Sequence, residues 1–168
     1  MAKYSIIVAY DEDYAIGRNG DLIYHIKDDM KHFKEITSGH TVVMGRTTWE
    51  SLKVKPLPNR NNIVISRDWK YKADGAFVCH NIEEVKDRLF YNDEEVIIIG
   101  GAQIYEGFIN SVDTLYVTKI YSHCPDDADR FFPMYEMKWD PVEESEIYHD
   151  DKLNVDYQFI TYKRSLLE

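Results

Sequence analysis

Residues Thr41–Leu52 read TVVMGRTTWESL. Val42, Val43 and Met44 are apolar and β-prone, and Gly45 ends the run without a Cβ that would block close approach of a ligand. Thr47 and Glu50 have the Thr-x-x-Glu spacing of a capping box, which predicts a helix over Thr47–Leu52. A helix start offers free backbone N–H groups and a partial positive charge, both suited to phosphate, and Arg46 adds a planar guanidinium beside it. Taken alone, the segment also fits an ordinary capped helix behind a buried strand. Its weight comes from repetition. Ile97–Tyr105, IIIGGAQIY, is a second apolar strand that stops at paired glycines and enters a helix. Two such junctions predict a ligand with more than one phosphate lying across the carboxyl ends of a parallel sheet. Gly100, Gly101 and Gly107 do not have the Gly-x-Gly-x-x-Gly spacing, so the dinucleotide fingerprint itself is absent.

Outward from these junctions, β-branched and aromatic density predicts strands at Tyr4–Tyr10, Thr41–Met44, Asn62–Ser66, Ala76–Val78, Glu95–Ile99, Thr114–Ile120, Trp139–Ile147 and Val155–Lys163. Helical spacing of apolar residues predicts helices at Asp28–Thr37, Thr47–Leu52, Asn81–Leu89 and Ala102–Ile109. The alternation implies an α/β fold: one domain over residues 1–168, with a mostly parallel eight-stranded central sheet and helices on both faces. The last two strands, joined by the polar run His149–Lys152, predict an antiparallel C-terminal edge.

The 168 residues are 44% hydrophobic and 14% aromatic, enough for one core. No apolar run reaches the length of about 18 residues needed to span a bilayer, and Met1–Tyr10 lacks the pattern of a signal peptide. A soluble, cytoplasmic monomer is expected. Cys79 and Cys124 stand far apart, and the six histidines show no metal-ligand spacing, so neither a disulfide framework nor a metal centre is expected. A net charge of −10 argues against nucleic acid and anionic membranes as partners. The charge is uneven: Thr41–Gly75 holds seven Lys and Arg against three acids, while Tyr121–Asp156 holds eleven acids and three bases. The first stretch suits a small anionic ligand.

Three further segments carry candidate chemistry. In Asn62–Asp68, NIVISRD, a strand exit presents the Ser66 hydroxyl and the Arg67 guanidinium, a pair able to hold an extra monophosphate such as the 2′-phosphate of NADP. In Ile26–Thr37, IKDDMKHFKEIT, Asp29 and Phe33 share a helix face with Met30 and Ile36 beside them, whereas Asp28 is placed for an exposed pair with Lys31 or His32. A carboxylate on that inward face is costly unless a cationic or multi-donor partner meets it. Asp11–Tyr24, DEDYAIGRNGDLIY, is a polar, glycine-bearing stretch with apolar Ile16, Leu22, Ile23 and Tyr24, and reads as a mobile lid.

Together these stretches resemble the dihydrofolate reductase family over nearly the whole chain and in the family's order. The resemblance rests on Ile16-Gly17-x-Asn19-Gly20-x-Leu22, Asp29 with Phe33-Lys34, Met44-Gly45-Arg46-x-Thr48-Trp49-Glu50-Ser51, Pro56-Leu57-Pro58-x-Arg60, Ile99-Gly100-Gly101-x-x-x-Tyr105 and Leu115-Tyr116-x-Thr118. It implies reduction of dihydrofolate by NADPH. By resemblance Asp29 holds the 2-amino group and neighbouring ring nitrogen of the pterin, Thr118 buttresses it, and Ile7 and Ile99 line the slot with available backbone carbonyls. Met30, Phe33 and Lys34 flank the rest of the substrate, and Arg60 binds its α-carboxylate. The cofactor is expected along Ala9, Ile16, Gly17, Asn19, Gly20, Gly45, Arg46, Thr47, Thr48, Ser66, Arg67, Gly100, Gly101, Ala102, Gln103, Ile104 and Tyr105, with about 41–90 forming its adenosine lobe. The Gly100–Gly101 peptide is expected to be cis. Antifolates are expected ligands.

Three positions depart from the family pattern. Ile23-Tyr24 stands for Pro-Trp after the lid residue Leu22, so the Tyr24 phenol is a candidate substitute in proton delivery. Lys27 replaces the proline before the substrate helix, and Asn59 replaces a glycine, tolerable if its backbone is left-handed. Two other readings stay open: a related NADPH-dependent reductase of another heterocycle, and a cofactor-binding scaffold with little turnover.

Overall fold

The computed structural model describes residues 1–133 and 138–165. In chain order the elements are β1 (Lys3–Tyr10), β2 (Ala15–Arg18), β3 (Asp21–Leu22), α1 (Lys27–Thr37), β4 (Thr41–Gly45), α2 (Arg46–Ser51), β5 (Asn61–Ile65), β6 (Phe77–Cys79), α3 (Ile82–Arg88), β7 (Glu95–Gly100) and α4 (Ala102–Phe108). A 3₁₀ turn at Ile109–Ser111 leads into β8 (Val112–Tyr121), then β9 (Arg130–Phe131), β10 (Trp139–Glu144), β11 (Tyr148–Asp150) and β12 (Val155–Arg164). The main sheet runs β10-β12-β8-β1-β7-β4-β5-β6, with β11 paired to β12 as a ninth, short strand. Neighbours from β8 to β6 are parallel, and β12 is antiparallel to both β8 and β10.

The continuous apolar runs have a geometric reason. Successive strand residues face opposite sides, and here both sides are covered. Ile6, Val8, Val43, Ile63, Val96 and Ile98 pack with Val85 of α3 and Tyr105 and Phe108 of α4. Ile7, Val42, Met44, Val64, Ile97 and Ile99 pack with Phe33 and Ile36 of α1 and Trp49 of α2. A parallel sheet buried on both faces therefore loses the polar-apolar alternation of a half-exposed one.

Four details differ from expectation. The Trp139–Ile147 strand is broken into β10 and β11, because Ser145 turns inward: its N–H donates to the Phe159 carbonyl at 2.9 Å and its hydroxyl accepts from Phe159 N–H at 2.9 Å. The hairpin turn then falls at 151–154, and His149 lies in β11. The capping box does not form. Helix α2 starts one residue early with Gly45 as its N-cap, without a side-chain cap bond, and Glu50 faces Arg46 and Tyr71 instead. Finally, the polar stretch read as an irregular lid folds into a β2–β3 hairpin inside a small β3-β2-β9 sheet. Its two-residue turn is Asn19-Gly20, with φ of 51° and 79°, the positive values that a tight hairpin turn requires.

Candidate active site

Asp29, on α1, is held against β8 of the sheet. Thr118, 2% exposed on β8, donates its hydroxyl to Asp29 Oδ1 at 2.5 Å. The preceding acid, Asp28, is exposed as the helix spacing predicts, but its partner is neither Lys31 nor His32. It accepts a 3.1 Å bond from the Tyr157 hydroxyl of β12, and His32 stacks on Phe159 with ring centroids 4.0 Å apart. Three anchors, at Asp28, Asp29 and His32, thus fix the first turns of α1 against β8 and β12. Burial raises the Asp29 carboxyl above its ordinary value of 3.8, against the opposing pull of Thr118 and His32. Burial in turn lowers the His32 imidazole, opposed by Asp29 and Glu35.

That shift has a sign that stability reports. Below the unfolded-chain value Asp29 is protonated in both states and costs nothing; as pH rises through the higher native value, the native state must bear a desolvated charge. Ligand-free Asp29→Asn is therefore expected to melt higher than the unaltered chain at neutral pH, with the gain vanishing near pH 3. A gain of 1 kcal/mol corresponds to about 2–4 °C for a chain of this size. Calorimetric melting across pH checks it, and an equal or lower Tm at pH 7 contradicts it.

The Ile7 and Ile99 carbonyls both meet one phenol. Tyr105, 5% exposed on α4, has its hydroxyl 2.8 Å from the Ile7 oxygen and 3.0 Å from the Ile99 oxygen. One phenol proton serves one of them at a time, and each carbonyl keeps a further lone pair for the slot. Phe33 is half-buried on the same face as Ile7 and Ile99. Met30 is not packed there: it is 62% exposed, so the low-polarity surroundings of Asp29 come from the sheet rather than from Met30. Leu22, on β3, is 52% exposed, and Lys34 is exposed on α1.

Tyr24, the candidate in proton delivery, is hydrogen-bonded at the base of the lid. Its hydroxyl donates to Asp11 Oδ2 at 2.8 Å and lies 3.4 Å from the His123 carbonyl, while its ring packs with Ile26, Ile120 and Tyr157. Burial and the bond to Asp11 push the phenol up to about 12. It ties the lid to the strand ends. Asp11 is fully buried and accepts the Asp13 and Ala15 N–H groups on its other oxygen.

Arg60 is positioned without a counter-ion. Its Nε donates to the Pro58 carbonyl at 2.8 Å and its Nη1 to Thr37 Oγ1 at 2.9 Å, and no carboxylate pairs with it among the described residues. The turn that aims it contains Asn59 at φ 58°, the left-handed backbone expected of the glycine replacement. A hollow of about 360 Å³ at the amino ends of β4 and β5 is lined by Gly39, Thr41, Asn61 and Arg60 itself.

On the neighbouring strands β4 and β7, paired in parallel with Met44 opposite Gly100, the two glycine junctions stand side by side. Gly45 and Gly101 are the N-caps of α2 and α4, and neither helix start has a side-chain cap bond. A Cβ on Gly45 would come 3.0 Å from Ile104, and the Gly100–Gly101 peptide is cis. Thr48 Oγ1 lies 3.5 Å from where a Gly101 Cβ would be, and the lid tip Gly20 faces Thr47. Backbone donors, hydroxyls and close-approach glycines thus converge, the donor set that a pyrophosphate needs. Arg46 is only partly free: it lies 3.4 Å from Glu50, 3.7 Å from Asp68 and over the Tyr71 ring. Ser66 is buried, and Arg67 is exposed with no acidic partner among the described residues.

This arrangement has known counterparts. The family model described as dihydrofolate reductase matches residues 3–164. The chain belongs to the dihydrofolate reductase family. It is 39% identical to the dihydrofolate reductase of Bacillus subtilis (strain 168) over 161 residues, covering 95% of this chain and 94% of that one. Identity to the Staphylococcus aureus (strain Mu50) dihydrofolate reductase is 37% over 157 residues, covering 93% and 94%. A solved structure of the Enterococcus faecalis dihydrofolate reductase complexed with NADP(H) and RAB-propyl superposes with a TM-score of 0.86 at 33% identity, covering 97% of this chain and 96% of that one.

Membership in the dihydrofolate reductase family does not itself assign the residues that sequence reasoning missed. Asp129 is one: its N–H donates to the Gly17 carbonyl at 3.0 Å and its carboxylate accepts Asn19 N–H at 3.0 Å, closing the lid sheet. Tyr105 as a bridge of two carbonyls, Thr37 as the Arg60 brace and Tyr157 as the Asp28 anchor are others. Only the Asn19-Gly20 hairpin signal was available in the sequence; the remaining contacts join residues at least 23 apart, apart from Tyr105 with Ile99.

Proposed function

We propose that this reductase converts 7,8-dihydrofolate to 5,6,7,8-tetrahydrofolate, feeding one-carbon metabolism, with Asp29 as the catalytic carboxylate. The observation that carries the reading is a buried acid, oriented by Thr118, beside a slot rimmed by the Ile7 and Ile99 carbonyls. A carboxylate offers about four lone-pair sites; Thr118 uses one, and the outer edge matches the parallel donors of a 2-amino-pyrimidine ring.

NADPH, when bound, supplies the hydride. Residues suited to hold it are Ala9, Ile16, Gly17, Asn19 and Gly20 on the lid side, Gly45, Arg46, Thr47 and Thr48 with Gly100, Gly101, Ala102, Gln103 and Ile104 at the two junctions, and Ser66 and Arg67 beyond. Strands β4 to β6 with α2 and α3 form one end of the sheet, which supports residues 41–90 as the adenosine lobe. Asp29, ionised next to the pterin in a site closed to bulk water, raises the basicity of the substrate's ring nitrogen; the final proton comes from water, since Tyr24 is committed to Asp11. Phe33 packs on the aromatic middle of the substrate, with Met30, Lys34 and Leu22 at its margin, and Arg60 receives the α-carboxylate. Tyr105 positions the slot's carbonyls rather than touching the cofactor.

No described helix is long and apolar enough to cross a membrane. The edge strand β10 carries Pro141, Glu143 and Glu144, features that discourage edge pairing between copies and support a monomer. Two cysteines free of disulfides suit a reducing cytoplasm.

Following NADPH absorbance with and without dihydrofolate tests the activity, and addition of methotrexate should abolish the change. NADPH binding without oxidation would favour a scaffold and refute the proposal. The lid gives a second test. Asp129→Ala removes the carboxylate that holds Asn19, so amide hydrogen exchange at residues 17–22 should accelerate about tenfold, consistent with loss of one charge-assisted bond; unchanged exchange would mean that the latch is idle.

A further inference from the structure

The carboxyl ends of β5 and β6 hold a feature that the phosphate reading of Ser66 and Arg67 leaves unused. Parallel pairing of Ile65 with Cys79 brings the following residues together. Ser66 N–H donates to the Cys79 carbonyl at 2.9 Å, and the Ser66 carbonyl lies 2.9 Å from His80 Nδ1. Glu84 Oε2 accepts the His80 backbone N–H at 2.7 Å, so the residue is held through its backbone as well as through its ring. Against that ring lies the Trp69 indole, with centroids 3.8 Å apart and planes 27° apart.

A lone exposed aromatic needs no explanation. Trp69 differs in that it is 73% exposed yet propped on one face by a ring that is itself hydrogen-bonded, so its free face is rigid and offered to solvent. Close by in the chain are groups that select an anion: the buried Ser66 and Arg67, exposed and with no acidic partner among the described residues. The nearby acid Asp68 is turned away, its carboxylate accepting Lys70 N–H at 2.9 Å and facing Arg46 at 3.7 Å. An aromatic platform next to an unpaired guanidinium matches a purine that carries a phosphate on its sugar.

We propose that the free face of Trp69 is a stacking platform for the adenosine of 2′-phosphorylated adenine nucleotides, with His80 as the positioning residue that holds the indole in place. This rests on the NADPH reading above and adds two residues to it. His80 touches no ligand; it acts through Trp69, and any flat ring at position 80 should do the same work. Arg67, Asp68 and Lys70 flank Trp69 in the chain and Glu84 binds the His80 backbone; Arg67 is the cation assigned to the phosphate.

The test is calorimetric titration of the full chain with 2′,5′-ADP, alongside ADP, which lacks the 2′-phosphate. Trp69→Leu is expected to weaken 2′,5′-ADP about tenfold, in the range of one lost base–aromatic stack. His80→Ala should produce a smaller loss of about threefold, and His80→Phe should restore affinity by keeping the support. Quenching of Trp69 fluorescence by 2′,5′-ADP, absent in Trp69→Leu, gives a readout independent of turnover. Unaltered affinity in Trp69→Leu overturns the inference while leaving the cofactor reading intact. Failure of the unaltered chain to bind 2′,5′-ADP at all strikes the cofactor reading itself, so the two failures are told apart. Equal loss in His80→Ala and His80→Phe refutes the positioning role.

Discussion

Asp29→Asn is expected to lower turnover of dihydrofolate by about 10² or more at neutral pH and by far less in acid. The amide preserves the shape and the bond from Thr118 but carries no charge to favour protonation of the substrate's ring nitrogen. At low pH the solvent protonates the substrate without that help, so the deficit narrows. Because burial already raises the Asp29 carboxyl, the unaltered enzyme itself should change rate at a pH above the ordinary carboxylate range. Steady-state rates across pH, with NADPH saturating, check both statements. A variant with undiminished neutral-pH turnover would remove Asp29 from the chemistry, and a deficit independent of pH would assign it to binding alone. The same substitution is expected to stabilise the ligand-free chain, so loss of activity with a raised Tm would separate a functional carboxylate from a structural one.

Arg60→Gln should raise KM for dihydrofolate by about 10², with kcat nearly unchanged. The guanidinium is braced by Pro58 and Thr37, half-buried, and lacks an acidic partner among the described residues; burial lowers its pKa, so an incoming carboxylate meets a partly desolvated cation. Hydrogen bonds to charged groups contribute about 1.5–3 kcal/mol, which corresponds to that change in KM. A substrate lacking the glutamate provides the control. If Arg60 meets the α-carboxylate, the truncated substrate and the variant should each lose affinity, and their combination should lose little more. Full additivity would place the carboxylate elsewhere.

The order of strands and helices was legible because it depends on local composition. Val42–Met44 and Ile97–Ile99 cannot be other than buried strands, and Gly45 and Gly101 mark where the backbone must turn into a helix. Asn59 as a left-handed residue was legible for the same reason, since backbone preference belongs to the residue. The capping box misled because Thr47 and Glu50 satisfy the spacing, yet strand pairing carries β4 only to Gly45 and the helix begins there. Met30, read beside Asp29 and Phe33 on the helix face, stands exposed, because helical spacing does not say how far the sheet extends under that face.

Sequence by itself determined the α/β class, the two glycine junctions and Asp29 as an acid on an apolar helix face, all properties carried by neighbours within a few residues. Tertiary structure alone decided what that acid meets, since Thr118 reaches it from 89 positions away. It also turned Tyr24 toward Asp11, set Tyr105 between two strand carbonyls and closed the lid through Asp129. The physical reason is one of range: backbone preference and apolar periodicity are local, whereas desolvation and hydrogen-bond partnership depend on which distant segments the sheet order brings side by side.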